Sequence, residues 1–406
     1  MRSLFAGLAL SVGVLLAFAG ALEAILRTTH WFGAHVSWSR PDQTIGWRFA
    51  GNSNYWYDSR ENDHPITGHT NSGGWNDREW PMQKSPRGVR VAVLGDSYVE
   101  ALQVERESNF LSLAQAILNR DGERRFELMN FGRSGFTQTE EWLILTSEIV
   151  KFAPDVVVLL YYAPNDIADV DPSTATDRLR PFPTRVGSDG VALDMSFTRH
   201  TAFRLKSFIS PLKNRSALVS SVAEKVALAL AQRAQAQGMH DHERDLPDAR
   251  IPGIGGYLSL ATDTRDALYE RSYAVTKALV AAMIRFCAQR RIDFLLVAID
   301  TPAYVPSVEQ RLKTADPTFR FGFFDHDLAA FAAGAGAQFL GLDAAFRARY
   351  LDRGAELHFS KGSPLEPRVL GNLGHPGHWN YAGHRLVAER LAAKLGSMNT
   401  LRDVDG

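Results

Sequence analysis

The chain has a single cysteine, Cys287, in 406 residues, so no disulfide can close within it and its stability must come from a packed core. It also lacks a net charge, because Lys and Arg number 45 and Asp and Glu number 45. Without a basic excess there is no field to hold a polyanion, which excludes nucleic acid as an expected partner. No internal repeat is present. Charge is missing most conspicuously from Ser3 to Leu22. A stretch of about 20 residues rising ~1.5 Å each covers ~30 Å, enough to cross a bilayer core. Ala17-Phe18-Ala19 offers a small-x-small cleavage pattern, but the apolar stretch exceeds the ~7 to 15 residues of a signal core, which favours an uncleaved anchor over a signal peptide. Either reading places the rest of the chain outside the cytoplasm.

What is present beyond this helix is an alternation. Short apolar, β-branched runs recur near 89–95, 126–130, 155–162, 293–299 and 338–342. Patterns with helical spacing lie between them, such as Trp142, Leu145, Ile149 and Phe152, or Leu268, Val275, Leu279, Ala282, Met283 and Phe286. Cys287 falls beside the second pattern as a small packed residue. The alternation predicts an α/β fold with a parallel sheet of about five strands and right-handed crossovers. The expected organisation is a signal anchor or signal peptide at 1–27, a neck and loop layer at 28–87, and one domain at 88–400 interrupted by an insertion at about 170–262. The insertion carries an alanine-rich helix around Val219 to Gln237 and is expected to form a substrate-side lobe or lid. The polar run His240-Asp241-His242-Glu243-Arg244-Asp245 reads as a solvated loop and not a metal site.

Four short blocks sit at predicted strand ends or near the C-terminus. Gly95-Asp96-Ser97 follows the first run, placing a serine where open α/β sheets present ligands. Asn130-Phe131-Gly132-Arg133-Ser134-Gly135 ends the second and Ala163-Pro164-Asn165-Asp166 the third. A glycine N–H at Gly135 and the Asn165 amide are donors suited to an oxyanion hole. His378-Trp379-Asn380-Tyr381-Ala382-Gly383-His384 supplies a base for the serine. His375, His378 and His384 do not read as zinc ligands, since His384 falls on the first turn of a closing helix, and no metal or other cofactor is expected.

With these blocks in that order, the chain resembles the SGNH, or GDSL-type, hydrolase family. Asn71-Ser72-Gly73-Gly74-Trp75-Asn76-Asp77-Arg78 is similar to the lead-in of its bacterial, membrane-targeted members, including the polysaccharide O-acetyltransferase/esterase-like branch. The resemblance implies a flavodoxin-like three-layer α/β/α fold with strand order 2-1-3-4-5. It implies Ser97 as nucleophile, His378 as base, and an oxyanion hole of the Ser97 and Gly135 N–H groups with the Asn165 amide. Two departures stand out. Ala163 replaces a glycine, and the aspartate that the family places two or three residues before its histidine is absent, with Pro376 and His375 there instead. No acidic residue lies between Glu366 and His378. The expectation is a Ser97–His378 dyad oriented by a backbone carbonyl or a distant acid such as Asp343, with Asp96, His375 and Asn380 as further supports, or else an impaired site.

The function that follows is a serine esterase or O-acyltransferase acting on acyl esters, with O-acetyl groups on a small molecule or on a cell-envelope or exported glycan as the expected substrate. The alternative is a catalytically impaired glycan-binding module, with an envelope scaffold as a third reading. The expected location is the inner membrane, single-pass, with the domain in the periplasm, or secreted to the periplasm after cleavage. Trp56, Tyr57 and Trp80 are either glycan-facing or packing aromatics.

Overall fold

The computed structural model describes residues 2–398 except 34, 60, 86, 121–124, 188–189, 237–253, 355 and 360–376. Its centre is a five-stranded, fully parallel sheet built from β5 (Gly88–Gly95), β6 (Arg125–Gly132), β7 (Val156–Tyr161), β10 (Asp293–Ala298) and β11 (Gln338–Gly341). In space they run β11-β10-β7-β5-β6, which is the order 2-1-3-4-5. All five predicted strands are found within two residues of their expected positions.

The central strands are rich in apolar residues on both faces because both faces of the sheet are covered. Ala92, Leu94, Met129, Phe131, Val157 and Leu159 point into one core with Ile144, Leu145 and Ile167 from the helices Gln138–Ser147 and Ala163–Ala168, and with Val280, Met283 and Cys287. Val91, Val93, Leu128, Val156, Val158 and Leu160 alternate into the other, against Phe110, Ala114, Phe346, Leu391 and Leu395. Burying one such side chain is worth about 1.5–3 kcal/mol, so the sheet's register is set on both sides. Each strand's carboxyl end therefore has a fixed place.

The neck is more structured than the sequence suggested. It forms two antiparallel hairpins, β1 (Ser39–Asp42) with β2 (Gly46–Phe49), and β3 (Asn54–Tyr57) with β4 (Ile66–His69). Strands of four residues are too short to leave a readable period. Trp80 is buried and donates to Asp77 at 2.6 Å, whereas Trp56 is half-buried, stacks on His30 at 4.7 Å and lines an open cavity.

The insertion contains the hairpin β8 (Phe182–Gly187) and β9 (Gly190–Asp194) and two helices, Thr201–Lys213 and Ala217–Ala236. The second matches the alanine-rich helix, while the hairpin and the first helix were not legible. The run His240 to Asp245 lies outside the described residues. The N-terminal helix Arg2–Thr29 includes an apolar span, Leu4–Thr29, whose most apolar 18-residue window has mean hydropathy 2.2 and no buried residue.

Candidate functional site

Ser97 begins the short helix Ser97–Glu100 directly after β5. The turn is tight. A Cβ on Gly95 would lie 2.4 Å from Val99 Cγ2, and one on Gly132, its partner across the β5–β6 register, 2.3 Å from the Glu100 nitrogen. The two glycines let the Ser97 turn lie flat on the neighbouring strand. Asp96 caps the helix, accepting from Tyr98 N at 3.0 Å, and its second oxygen accepts from Asn165 Nδ2 at 2.8 Å. Burial pushes the Asp96 carboxyl up to about 6, against the pull of these donors. Asp96 thus ties the serine turn to the Asn165 block and makes no bond to the histidine.

The histidine reaches the site on an extended segment. His378 O accepts from Phe359 N at 2.9 Å, Gly377 N donates to Phe359 O at 2.8 Å, and Asn380 N donates to Leu357 O at 3.0 Å. Asn380 also caps the closing helix Tyr381–Ser397 and donates to the carbonyls of Glu356 and His358. Trp379 is fully buried and donates to Asp300 Oδ1 at 2.8 Å. Asn380 and Trp379 therefore hold the loop and leave His378 free to face the serine.

His378 Nε2 lies 2.7 Å from Ser97 Oγ. On the other side of the ring, Nδ1 lies 3.1 and 3.0 Å from the two carboxylate oxygens of Glu61. A neutral imidazole that accepts at Nε2 carries its proton at Nδ1, so Glu61 accepts it. Burial works against charging the ring. The Glu61 bond, and after it the Asp96 and Glu100 charges, outweigh that effect and lift the imidazole above its ordinary range. Serine, histidine and acid thus form one chain of hydrogen bonds, as a catalytic triad requires.

Glu61 corrects the expectation of a dyad. It comes from the neck, between β3 and β4 and 317 positions from His378. Asp343 is elsewhere, accepting from Thr301 N at 2.7 Å and Thr301 Oγ1 at 2.9 Å. His375 lies outside the described residues. Asp300, at the end of β10, spends its oxygens on Trp379 and His358. The missing signal was local: Asp58, Glu61 and Asp63 share one unpatterned loop, and nothing in the sequence selects among them. Gly377 offers a partial one, since a Cβ there would sit 2.8 Å from Glu61 Oε1, so the residue before the histidine is small where the acid approaches.

The neck is fastened to the site by a second acid–base cluster. Arg133, wholly buried, donates to Glu100 Oε1 at 3.0 Å and to Gly74 O at 2.5 Å, and lies 3.5 Å over the Phe49 ring. Glu100 also accepts from Ser134 N at 3.2 Å and from the Ser134 hydroxyl. Asn76 donates to Glu100 O, and Asp77 accepts from Asn130 N. These bonds explain the run Asn71–Arg78 as the clamp between the hairpins and the edge of β6. Gly135 follows with φ of +75° and open space where a Cβ would stand. His384 is buried at the start of the closing helix, stacked on Phe110 and bonded at Nδ1 to the Phe110 amide. It belongs to the core.

No family model matches the chain, and no curated protein matches it. Among solved structures, the acetyl xylan esterase AlAXEase aligns at 16% identity and TM-score 0.35, covering 75% of this chain and 98% of that one. LAE5, an alpha/beta hydrolase enzyme from the metagenome of Lake Arreo in Spain, aligns at 15% identity and TM-score 0.38 over 78% of this chain and 97% of that one. A catalytic mutant of Axe2, an acetylxylan esterase from Geobacillus stearothermophilus, aligns at 11% and 0.38 over 78% and 98%. Likeness at this level carries no functional weight; the atoms around Ser97 do.

Proposed function

We propose that the protein is a serine esterase of SGNH type, in which Ser97, His378 and Glu61 act as one proton-transfer unit. The observation that carries this reading is the unbroken chain Ser97 Oγ–His378 Nε2 and His378 Nδ1–Glu61, at 2.7 and 3.0 Å. In the reaction His378 takes the Ser97 proton as Oγ attacks an ester carbonyl. Glu61 stabilises the imidazolium that forms without itself taking the proton. The oxyanion is held by the Ser97 and Gly135 N–H groups and by the Asn165 amide, whose second hydrogen remains for substrate when the first is on Asp96. Each such donor contributes roughly 3–4 kcal/mol to the transition state. The imidazolium then protonates the leaving alcohol. Water releases the acyl group, or a sugar hydroxyl accepts it, which would make the enzyme an O-acyltransferase.

The silent glycan-binding alternative drew its support from the missing acid, and Glu61 removes that support. The acyl group proposed is O-acetyl on a cell-envelope or exported glycan, in keeping with an N-terminal helix that would hold the enzyme to a membrane with its domain in the periplasm. A serine-directed fluorophosphonate tests the nucleophile. Wild-type protein should be labelled stoichiometrically and lose turnover of an aryl acetate, and Ser97→Ala should take no label. Label on the Ser97→Ala protein would overturn the assignment.

A further inference from the structure

The helix Thr201–Lys213 in the insertion turns its hydrophobic side outward. Leu205, Phe208 and Leu212, spaced three and four apart on one stripe, are 56, 78 and 57% exposed. Its inward side carries the buried Phe203 and Ser210. Arg204 and Lys206 flank the stripe, and Lys213 and Arg215 follow at its end. From Met195 to Ala223 the chain has no acidic residue. An exposed apolar stripe edged by cations, with no compensating acid, is the composition of a helix that lies in the surface of an anionic bilayer.

Its position supplies the second argument. The insertion is bonded to the end of the N-terminal apolar helix. Glu23 accepts from Ser216 Oγ at 2.8 Å, Ala217 N at 2.9 Å and Leu218 N at 2.9 Å, capping the helix Ala217–Ala236. Arg27 donates to the Arg215 carbonyl, and Leu26 packs against Ala217. Glu23 and Arg27 stand at the end of the uncharged run, where a spanning helix leaves the hydrocarbon. The end of the first insertion helix and the start of the second therefore lie beside the point where the N-terminal helix would reach headgroup level.

We infer that the helix Thr201–Lys213 lies on the anionic surface of the membrane that the N-terminal helix crosses, with Leu205, Phe208 and Leu212 in the acyl boundary and Arg204, Lys206, Lys213 and Arg215 on lipid phosphates. The inference rests on the membrane reading of the N-terminal helix and not on the esterase reading. It also revises the expected role of the insertion, from a lid over substrate to a foot that fixes the site's height and orientation above the bilayer.

The test uses full-length protein in nanodiscs with a nitroxide at Phe208→Cys. Cys287 stays unlabelled, being fully buried with its thiol pushed up to about 12 by that burial. Leu15→Cys reports the spanning helix, and Leu351→Cys, 63% exposed and on a separate helix, reports water. In discs containing phosphatidylglycerol the label at 208 should be reached by oxygen and shielded from a water-soluble nickel relaxant. Adding Arg204→Glu and Lys206→Glu should abolish that shielding while aryl acetate turnover stays at the wild-type rate. If the label at 15 is immersed and that at 208 is as open to nickel as that at 351, the inference fails with the anchor intact. Equal shielding in discs of phosphatidylcholine alone would overturn the anionic surface.

Discussion

The sheet edge and the neck contribute to one site by different means. Ser97, Gly135 and Asn165 follow strands whose register is enforced by apolar burial on two faces. Glu61 stands in a loop between four-residue strands, held by Asn62 Nδ2 donating to Gln103 O at 3.1 Å and to the Tyr381 hydroxyl at 3.2 Å, beside a small apolar cluster of Phe49, Tyr55, Ile66 and Leu102. Two large buried cores fix Ser97 and the groups around it to the fold, whereas a few hydrogen bonds and one small apolar cluster fix Glu61. The Ser97 side should accordingly be less sensitive to change in the Glu61 loop than the acid side is.

The largest expected effect is on the proton-transfer unit. His378→Ala should lower kcat on an aryl acetate by about 10⁴–10⁶, and Ser97→Ala with His378→Ala together should be no slower than either alone. A double variant much slower than both would separate the two residues functionally. A smaller effect is expected where the neck meets the loop: Gly377→Ala places a methyl on Glu61 Oε1 and should reduce kcat by up to about a hundredfold with Ser97 still labelled by fluorophosphonate. Unchanged kcat would mean that the neck's position is not critical. Smallest on catalysis is Asp343→Asn. It should leave kcat near wild type and change stability in urea unfolding by no more than about 1 kcal/mol, because the weaker bonds to Thr301 are offset by removal of a buried charge beside Asp325.

That contrast also governs what the sequence disclosed. Val91 to Leu94 and Val156 to Leu160 announce buried parallel strands, and the glycines after β5 and β6 mark the turns at their ends. With those in place, Ser97 and His378 could be paired across 281 positions. Glu61 could not, because its loop has no period and its bond to His378 exists only once the neck is clamped against β6. The outward stripe of Leu205, Phe208 and Leu212 was missed with the helix that carries it, whose pattern is broken by Pro211 and by charged residues within it.

The most direct test of the account is the pH–rate profile of Glu61→Gln against wild type, taken as kcat/KM on one aryl acetate with folding checked by thermal melt. His378 must be neutral to accept the Ser97 proton, so activity rises with pH through its pKa. Glu61 raises that pKa; wild type should therefore show its acid limb above the ordinary histidine range. In Glu61→Gln the limb should move to lower pH while the plateau falls by about 10²–10⁴. An unmoved limb with a wild-type plateau would contradict the assignment of Glu61 as the triad's acid.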